Sequence, residues 1–201
     1  MNLLAKNGHY LILVLVSLLL IYGSGGSIKL DQLPTIYPKV LSLFISVPEG
    51  FVPVLEVLDG DTIVVDLDGT EETVRLLGVD TPETRDPRRP VQCFGKQASD
   101  YTKELLLGKA VKLVIDTSDD NRDSFGRLLR YIYIEDGTMI NERLVYDGYA
   151  FAYEKYPTAR TQLLKQMEAD AKKNNRGLWG GCDVTITNSG KSKSTQSVTT
   201  P

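Results

Sequence analysis

Three carboxylates and one guanidinium fall within a single stretch of this chain. Asp59-Gly60-Asp61-Thr62 opens it, and Arg75-Leu76-Leu77-Gly78-Val79-Asp80-Thr81-Pro82-Glu83 closes it. Asp61, Asp80 and Glu83 supply the carboxylates and Arg75 the planar cation. Two carboxylates brought to one place repel. A hard divalent cation bound through oxygen removes the conflict, and Ca²⁺ suits a flexible site completed by water. Read singly, Asp59-Gly60-Asp61 is a turn and Asp80-Thr81-Pro82-Glu83 the start of a loop. Read together with Arg75, they suggest metal-assisted chemistry on an anionic group.

The elements that must position these residues follow from the apolar pattern. Ile63, Val65 and Leu67 point one way and Val64 and Asp66 the other, which is the period of a strand. Asp68-Gly69 predicts a tight hairpin turn, Val74, Leu76 and Leu77 resume the pattern, and Gly78 lets the chain bend. Antiparallel pairing then brings Asp61, at the start of one strand, toward Asp80, past the end of the next. The spacing of Phe94, Ala98, Tyr101 and Leu105 predicts a helix from about Gly95 to Leu107, ended by Gly108. Val111, Leu113 and Ile115 alternate as a fourth strand, and Leu128 to Ile134 form a fifth, turned by Asp136-Gly137. Further helices are expected over Ile140–Tyr146, closed by Gly148, and Thr158–Lys173, with Leu164, Met167 and Ala171 inward. Arg127 stands just before the fifth strand. On its own it reads equally well as a phosphate ligand or as a strand-end ion pair with Asp119, Asp120 or Asp123. Tyr149, Phe151, Tyr153 and Tyr156 offer aromatic faces that pack in a core or stack on a base. Trp179 reads as a packing residue.

Taken in order, Asp59-Gly60-Asp61-Thr62, the run from Arg75 to Glu83, and Phe125-Gly126-Arg127 closely resemble the staphylococcal nuclease (thermonuclease) family, over roughly Phe51 to Trp179. The resemblance implies an α+β fold, mainly β: a five-stranded OB-fold barrel with three helices, here preceded by a hydrophobic leader. It also implies Ca²⁺-dependent hydrolysis of DNA and RNA leaving 3′-phosphate ends. By the same resemblance the Asp61 and Asp80 carboxylates and the Thr81 carbonyl hold the metal, and Glu83 is the general base. Arg75 and Arg127 would donate to the phosphoryl oxygens, and nucleotide-contacting tyrosines fall near Tyr153 and Tyr156. From the residues themselves, Arg85, Arg88 and Arg89, in the charged, proline-rich loop after Glu83, read equally well as phosphate contacts or as part of an ordinary solvated loop. The chain departs from the best-known family pattern at Ser124-Phe125, where that pattern has Lys-Tyr, so contacts made by that pair do not carry over. A rival from another class is a non-catalytic module of the same fold that binds nucleic acid or protein. Such modules typically lose the acidic and arginine positions, whereas Asp61, Arg75, Asp80, Thr81, Glu83 and Arg127 are all present. A surface-anchored adhesion domain, a third reading, rests only on the leader and spacer.

The N-terminal region carries Lys6 and then an uncharged apolar run of 13 residues from Tyr10 to Tyr22. That is shorter than the ~20 residues a membrane-spanning helix needs, and small residues Ser24 to Ser27 follow. Residues 1–26 are therefore expected to be a signal peptide or an uncleaved N-terminal membrane anchor, giving a secreted or cell-surface protein. Residues 27–50, broken by Pro34, Pro38 and Pro48, read as a spacer. Residues 51–182 form the nuclease domain, expected to be monomeric, and the Ser/Thr-rich residues 183–201 a disordered tail. Within 51–182, 18 Lys and Arg face 23 Asp and Glu, so polyanion binding has to be local and metal-assisted. The only histidine is His9, in the leader, which excludes histidine-based nucleases and triads from the domain. Cys93 and Cys182 are the only cysteines, and in an exported protein they are expected to pair.

Overall fold

Alternating apolar residues build β1 (Val52–Asp59), β2 (Thr62–Leu67) and β3 (Thr70–Leu76) as a continuous meander. In the computed structural model, which describes residues 47–84, 91–117, 120–186 and 193–197, these strands pair antiparallel, with Thr62 opposite Arg75 and Leu67 opposite Thr70. Register shifts in β1, between Val54 and Glu56 and between Val57 and Asp59, bend it so that the sheet can close. After β4 (Val79–Asp80) come α1 (Gly95–Leu106), β5 (Ala110–Val114) and β6 (Leu128–Tyr133). β6 pairs parallel with β3 and antiparallel with β5, and β5 returns to β1, closing the five-stranded OB-fold barrel in the order β1-β2-β3-β6-β5. Then follow α2 (Ile140–Tyr146), β7 (Phe151–Ala152), α3 (Thr161–Lys173) and the single turn α4 (Leu178–Gly181). β7 pairs with β4 in a short two-stranded ribbon.

The barrel interior is filled by Val54, Val57, Ile63, Val65, Val74, Leu76, Val111, Leu128 and Ile132. Leu106 of α1, Ile140 and Leu144 of α2 and Leu164 of α3 cover its ends. Each such side chain contributes about 1.5–3 kcal/mol by leaving water. The buried stripe of α1 runs through Ala98, Thr102 and Leu106, with Tyr101 and Leu105 flanking it, one position round from the expected face. The rotation is possible because Thr102, though polar, donates its hydroxyl to the Gly60 carbonyl at 2.7 Å. α3 begins at Thr161 rather than Thr158. Its preceding turn is closed by Thr158 N–H donating to Thr161 Oγ1 at 2.7 Å.

The C-terminal region corrects the expectation of a wholly disordered tail. β8 (Cys182–Ile186) and β9 (Lys193–Ser197) form an antiparallel hairpin, with Cys182 opposite Ser197 and Val184 opposite Thr195. Composition misled because this hairpin is fastened by tethers rather than by apolar area. Cys93 and Cys182 are bridged, with Cα atoms 6.0 Å apart. Thr195 Oγ1 donates to the Cys93 carbonyl at 2.6 Å. Phe151, Leu178, Phe94 and Trp179 pack around the bridge, with Trp179 edge-on to Phe151 at 5.4 Å. The leader, all but residues 47–50 of the spacer, Arg85, Arg88, Arg89 and Asp119 lie outside the described residues. Among the described residues no helix is long and apolar enough to cross a membrane.

Candidate active site

The turn between β1 and β2 carries Asp61, and its backbone is pressed against Thr81. A Cβ on Gly60 would sit 2.8 Å from Thr81 Cγ2, so only glycine allows this approach. Asp61 is buried. Its Oδ1 accepts from Thr62 Oγ1 at 2.9 Å and its Oδ2 from the Thr81 N–H at 3.0 Å. Gly78, at φ +72°, turns the chain from β3 into β4, and a Cβ there would meet Leu164 Cδ1 at 2.6 Å. The bend delivers Asp80 to the same corner, where its backbone pairs with Phe151 of β7.

Arg75 closes that corner. Its Nη1 donates to the carbonyls of Leu76 at 2.9 Å and Val79 at 2.8 Å, which fixes the plane of the guanidinium. Its Nη2 lies 3.1 Å from Asp61 Oδ2 and 3.1 Å from Asp80 Oδ1, so one nitrogen bridges the two carboxylates. Even so, the Asp80 carboxyl is pushed up to about 6. Loss of water around it is the main cause; Arg75 opposes the rise, Asp61 and Glu83 add to it, and Lys193 opposes it more weakly. Thr81 Oγ1 is buried without a hydrogen-bond partner among the described residues. Two converging carboxylates and an orphaned hydroxyl make an oxygen-only donor set, which fits a hard cation such as Ca²⁺. Among the described residues no group of three or more His, Cys, Asp or Glu is placed to hold a metal. A cation at this corner would complete its shell with carbonyl oxygen and water.

Glu83 follows on the same loop. Its N–H donates to Gln92 Oε1 at 3.1 Å, and its carbonyl accepts the Gln92 N–H at 2.9 Å, which ties the loop to the residue before Cys93. Asp59 Oδ1 accepts from the Gly60 N–H and from Thr84 Oγ1, each at 2.8 Å. Burial raises the Asp59 carboxyl, and the charges of Asp61 and Glu83 add to the rise. Gln92, Thr84 and Thr102 are supports that the sequence reading missed. Thr102 left a signal, since a polar residue on the inward stripe of a helix must find a partner.

Arg75 also lines a groove of about 400 Å³ together with Arg127, Phe125, Tyr153, Lys155 and Tyr156. Both arginines therefore face one space. Arg127 is at once a groove residue and a strand-end ion pair: its Nε donates to Asp123 Oδ2 at 2.7 Å and its backbone N–H to Asp123 Oδ1 at 3.0 Å. Its guanidinium lies 5.4 Å from the centre of the Phe125 ring, a side chain 83% exposed. Tyr153 sits 5.9 Å from the Arg75 guanidinium and 6.0 Å, ring to ring, from Tyr156. Burial raises the Tyr153 hydroxyl, and the Asp80 charge adds to this. The other two aromatic candidates serve packing. Tyr149 stacks on Tyr101 at 4.0 Å, and Phe151 is buried. The corner and the groove thus gather Asp61, Arg75, Asp80, Thr81, Arg127, Tyr153 and Tyr156, while Cys93 and Cys182 form the bridge at the head of α1.

Part of this chain is similar to known proteins. The family model described as Staphylococcal nuclease homologue matches residues 73–181. The chain is 41% identical over 127 residues to Thermonuclease of Staphylococcus hyicus, covering 63% of this chain and 73% of that protein. It is 42% identical over 127 residues to Thermonuclease of Staphylococcus intermedius, covering 63% and 74%. Endonuclease YncB of Bacillus subtilis (strain 168) is 41% identical over 126 residues, covering 61% of this chain and 58% of that protein. A barrel closed in OB order and a match that spans more than half of the sequence agree: this chain belongs to the staphylococcal nuclease homologue family.

Proposed function

We propose that this chain is a Ca²⁺-dependent nuclease that hydrolyses phosphodiester bonds of DNA and RNA and leaves 3′-phosphate ends. The names of the relatives, thermonuclease and endonuclease, support the reaction class. One observation carries the reading to this site: a single Arg75 nitrogen lies 3.1 Å from both Asp61 and Asp80, and the same side chain lines the groove shared with Arg127. Carboxylates for a cation and guanidinia for a phosphate thus meet at one place.

Asp61, Asp80 and the Thr81 carbonyl would hold Ca²⁺, which when bound supplies Lewis-acid pull on a phosphate oxygen. Glu83 takes the proton of the attacking water as general base. Arg75 and Arg127 direct paired N–H donors at the phosphoryl oxygens, where negative charge grows during attack. Tyr153 and Tyr156 offer ring faces to the adjoining sugar and base, and Phe125 extends that surface. Because acidic residues outnumber basic ones in the domain, affinity comes from this groove rather than from the overall field. Residues 1–26 export the chain or anchor it at the cell surface, where a bridge such as Cys93–Cys182 persists.

The decisive experiment is digestion of single-stranded DNA with Ca²⁺ present and then chelated, followed by analysis of the 3′ ends. Cleavage that stops on chelation and leaves phosphate-blocked 3′ ends is expected. Full cleavage in chelator, or equal rates with Mg²⁺, would overturn the metal assignment.

A further inference from the structure

The hairpin of β8 and β9 lies past residue 181, where the family match ends. One of its side chains reaches into the domain. Lys193 has only 7% of its side chain exposed, a burial that a lysine sustains when its ammonium is well partnered. Its Nζ lies 2.8 Å from both carboxylate oxygens of Glu168 on α3 and 3.3 Å from Glu154 Oε1. It also donates to the Ala152 carbonyl at 3.2 Å, while Glu168 Oε1 accepts the Ala152 N–H at 3.0 Å. One ion pair therefore satisfies both polar groups of the Ala152 backbone.

That backbone is the outer edge of the ribbon carrying Asp80. Asp80 is opposite Phe151 and Val79 opposite Ala152, and the Tyr153 N–H donates to the Gly78 carbonyl at 2.9 Å. The groups of Phe151 and Tyr153 thus face β4, and those of Ala152 face away, where a third strand would lie in a larger sheet. A ribbon with strands of two residues is too short to hold itself. We infer that Lys193 is a positioning residue for the carboxylate pair: with Glu168 it clamps the outer edge of β7, fixes β4 against the inner edge, and so holds Asp80 beside Arg75 and Asp61. The inference rests on the reading of Asp80 as a cation ligand.

The test uses the full chain with its bridge intact and measures amide hydrogen exchange in the metal-free protein and Ca²⁺ affinity by calorimetry. Lys193→Met should speed exchange of the Tyr153 and Thr81 amides at least about tenfold, while amides of β2 and β3 keep their protection. The Thr81 amide reports the pair directly, since it donates to Asp61. Ca²⁺ affinity should fall roughly 10-fold, the scale on which supports behind metal ligands act. Lys193→Arg should restore most of both. Thr195→Val, which loosens the hairpin at Cys93 without touching Ala152, should lower the melting temperature and leave both readouts unchanged. If Lys193→Met accelerates exchange evenly over the domain, or leaves Thr81 and Tyr153 as protected as before, Lys193 is a tail anchor only and the inference fails. Should that variant not fold, Lys193→Met with Glu168→Gln removes the stranded charge and is judged by the same criteria. A wild-type chain that does not bind Ca²⁺ refutes the proposed function, and the Thr81 amide still decides the role of Lys193.

Discussion

Removing the Arg75 guanidinium measures how far the two carboxylates depend on it. Arg75→Ala leaves Asp61, with 11% of its side chain exposed, facing Asp80, with 35% exposed, and takes a charged donor from the carbonyls of Leu76 and Val79. Breaking a buried ion pair costs about 3–5 kcal/mol, whereas an exposed pair is worth about 0–1 kcal/mol. Asp80 is a third open to water, so screening trims the buried figure to about 2–4 kcal/mol. In a domain of this size that is a fall of roughly 10 °C in melting temperature. With typical domain stabilities of about 5–15 kcal/mol, the variant still folds. Ca²⁺ would restore positive charge to the same corner without competition from a guanidinium. For wild type, Ca²⁺ at about 100 times its Kd adds about 2.7 kcal/mol by mass action, and the variant should gain more. Urea denaturation of both proteins, in chelator and in Ca²⁺, reads all four values. A loss in chelator below about 1 kcal/mol, on the scale of an exposed pair, would show that the bridge is ornamental to stability. A Ca²⁺ increment no larger than that of wild type would show that Arg75 and the cation do not share these carboxylates.

Protonation gives a second handle. Because Asp80 must be ionised to bind a cation, and its carboxyl is raised to about 6, Ca²⁺ affinity should be level above that pH and fall below it, being roughly 10-fold weaker at about pH 5. Calorimetric titration across pH checks this, and Asp80→Asn should flatten the curve. In the metal-free protein the sign is opposite: the folded form holds the proton more tightly, so this group's contribution to stability is present below its unfolded value of 3.8 and lost as pH rises through about 6. Glu83→Gln and Arg127→Ala should each lower turnover at least ~10²-fold, measured by steady-state digestion. Near-normal turnover in a destabilised Arg127→Ala would make its pair with Asp123 purely structural. Reducing Cys93–Cys182, which spans 89 residues, should cost up to about 4–5 kcal/mol in the chain-entropy picture. Activity at low temperature should largely survive, and an unchanged melting temperature would argue against the bridge as a staple.

The barrel and the corner were legible because both are written in short-range patterns. Alternation from Ile63 to Leu76 sets the faces of β2 and β3, and once those strands pair, Asp61 and Asp80 approach for reasons of length and direction alone. The supports were not legible, because they depend on contacts between residues far apart in the chain. Nothing near Gln92 announces that its amide will hold the Glu83 backbone, and nothing near Thr102 says that it will meet the Gly60 carbonyl. The tail was misread for a related reason. Its composition offers little apolar surface, and what fastens it is a buried lysine, a threonine hydroxyl and a covalent bridge, each with a partner more than twenty residues away. The sequence leaves Arg127 open between a phosphate ligand and a strand-end ion pair; the structure shows the pair with Asp123, and the guanidinium has donors enough to line the groove as well.

The parallel pairing of β3 with β6 has a consequence for the order in which the groove is assembled. Asp61 and Arg75 belong to the local meander β1 to β3, whose strands meet through tight turns and pay little loop entropy, whereas Asp80, on β4, also waits for the distant β7. Arg127 reaches its place only when β6, separated from β3 by α1 and β5, docks in parallel register with Arg75 opposite Leu129. Contacts of that span form slowly, because a long segment must be closed before they repay it. A half-folded chain can thus present Asp61 and Arg75 before β7 holds Asp80 and before the second arginine arrives. Completion of the groove becomes a report that the barrel has closed.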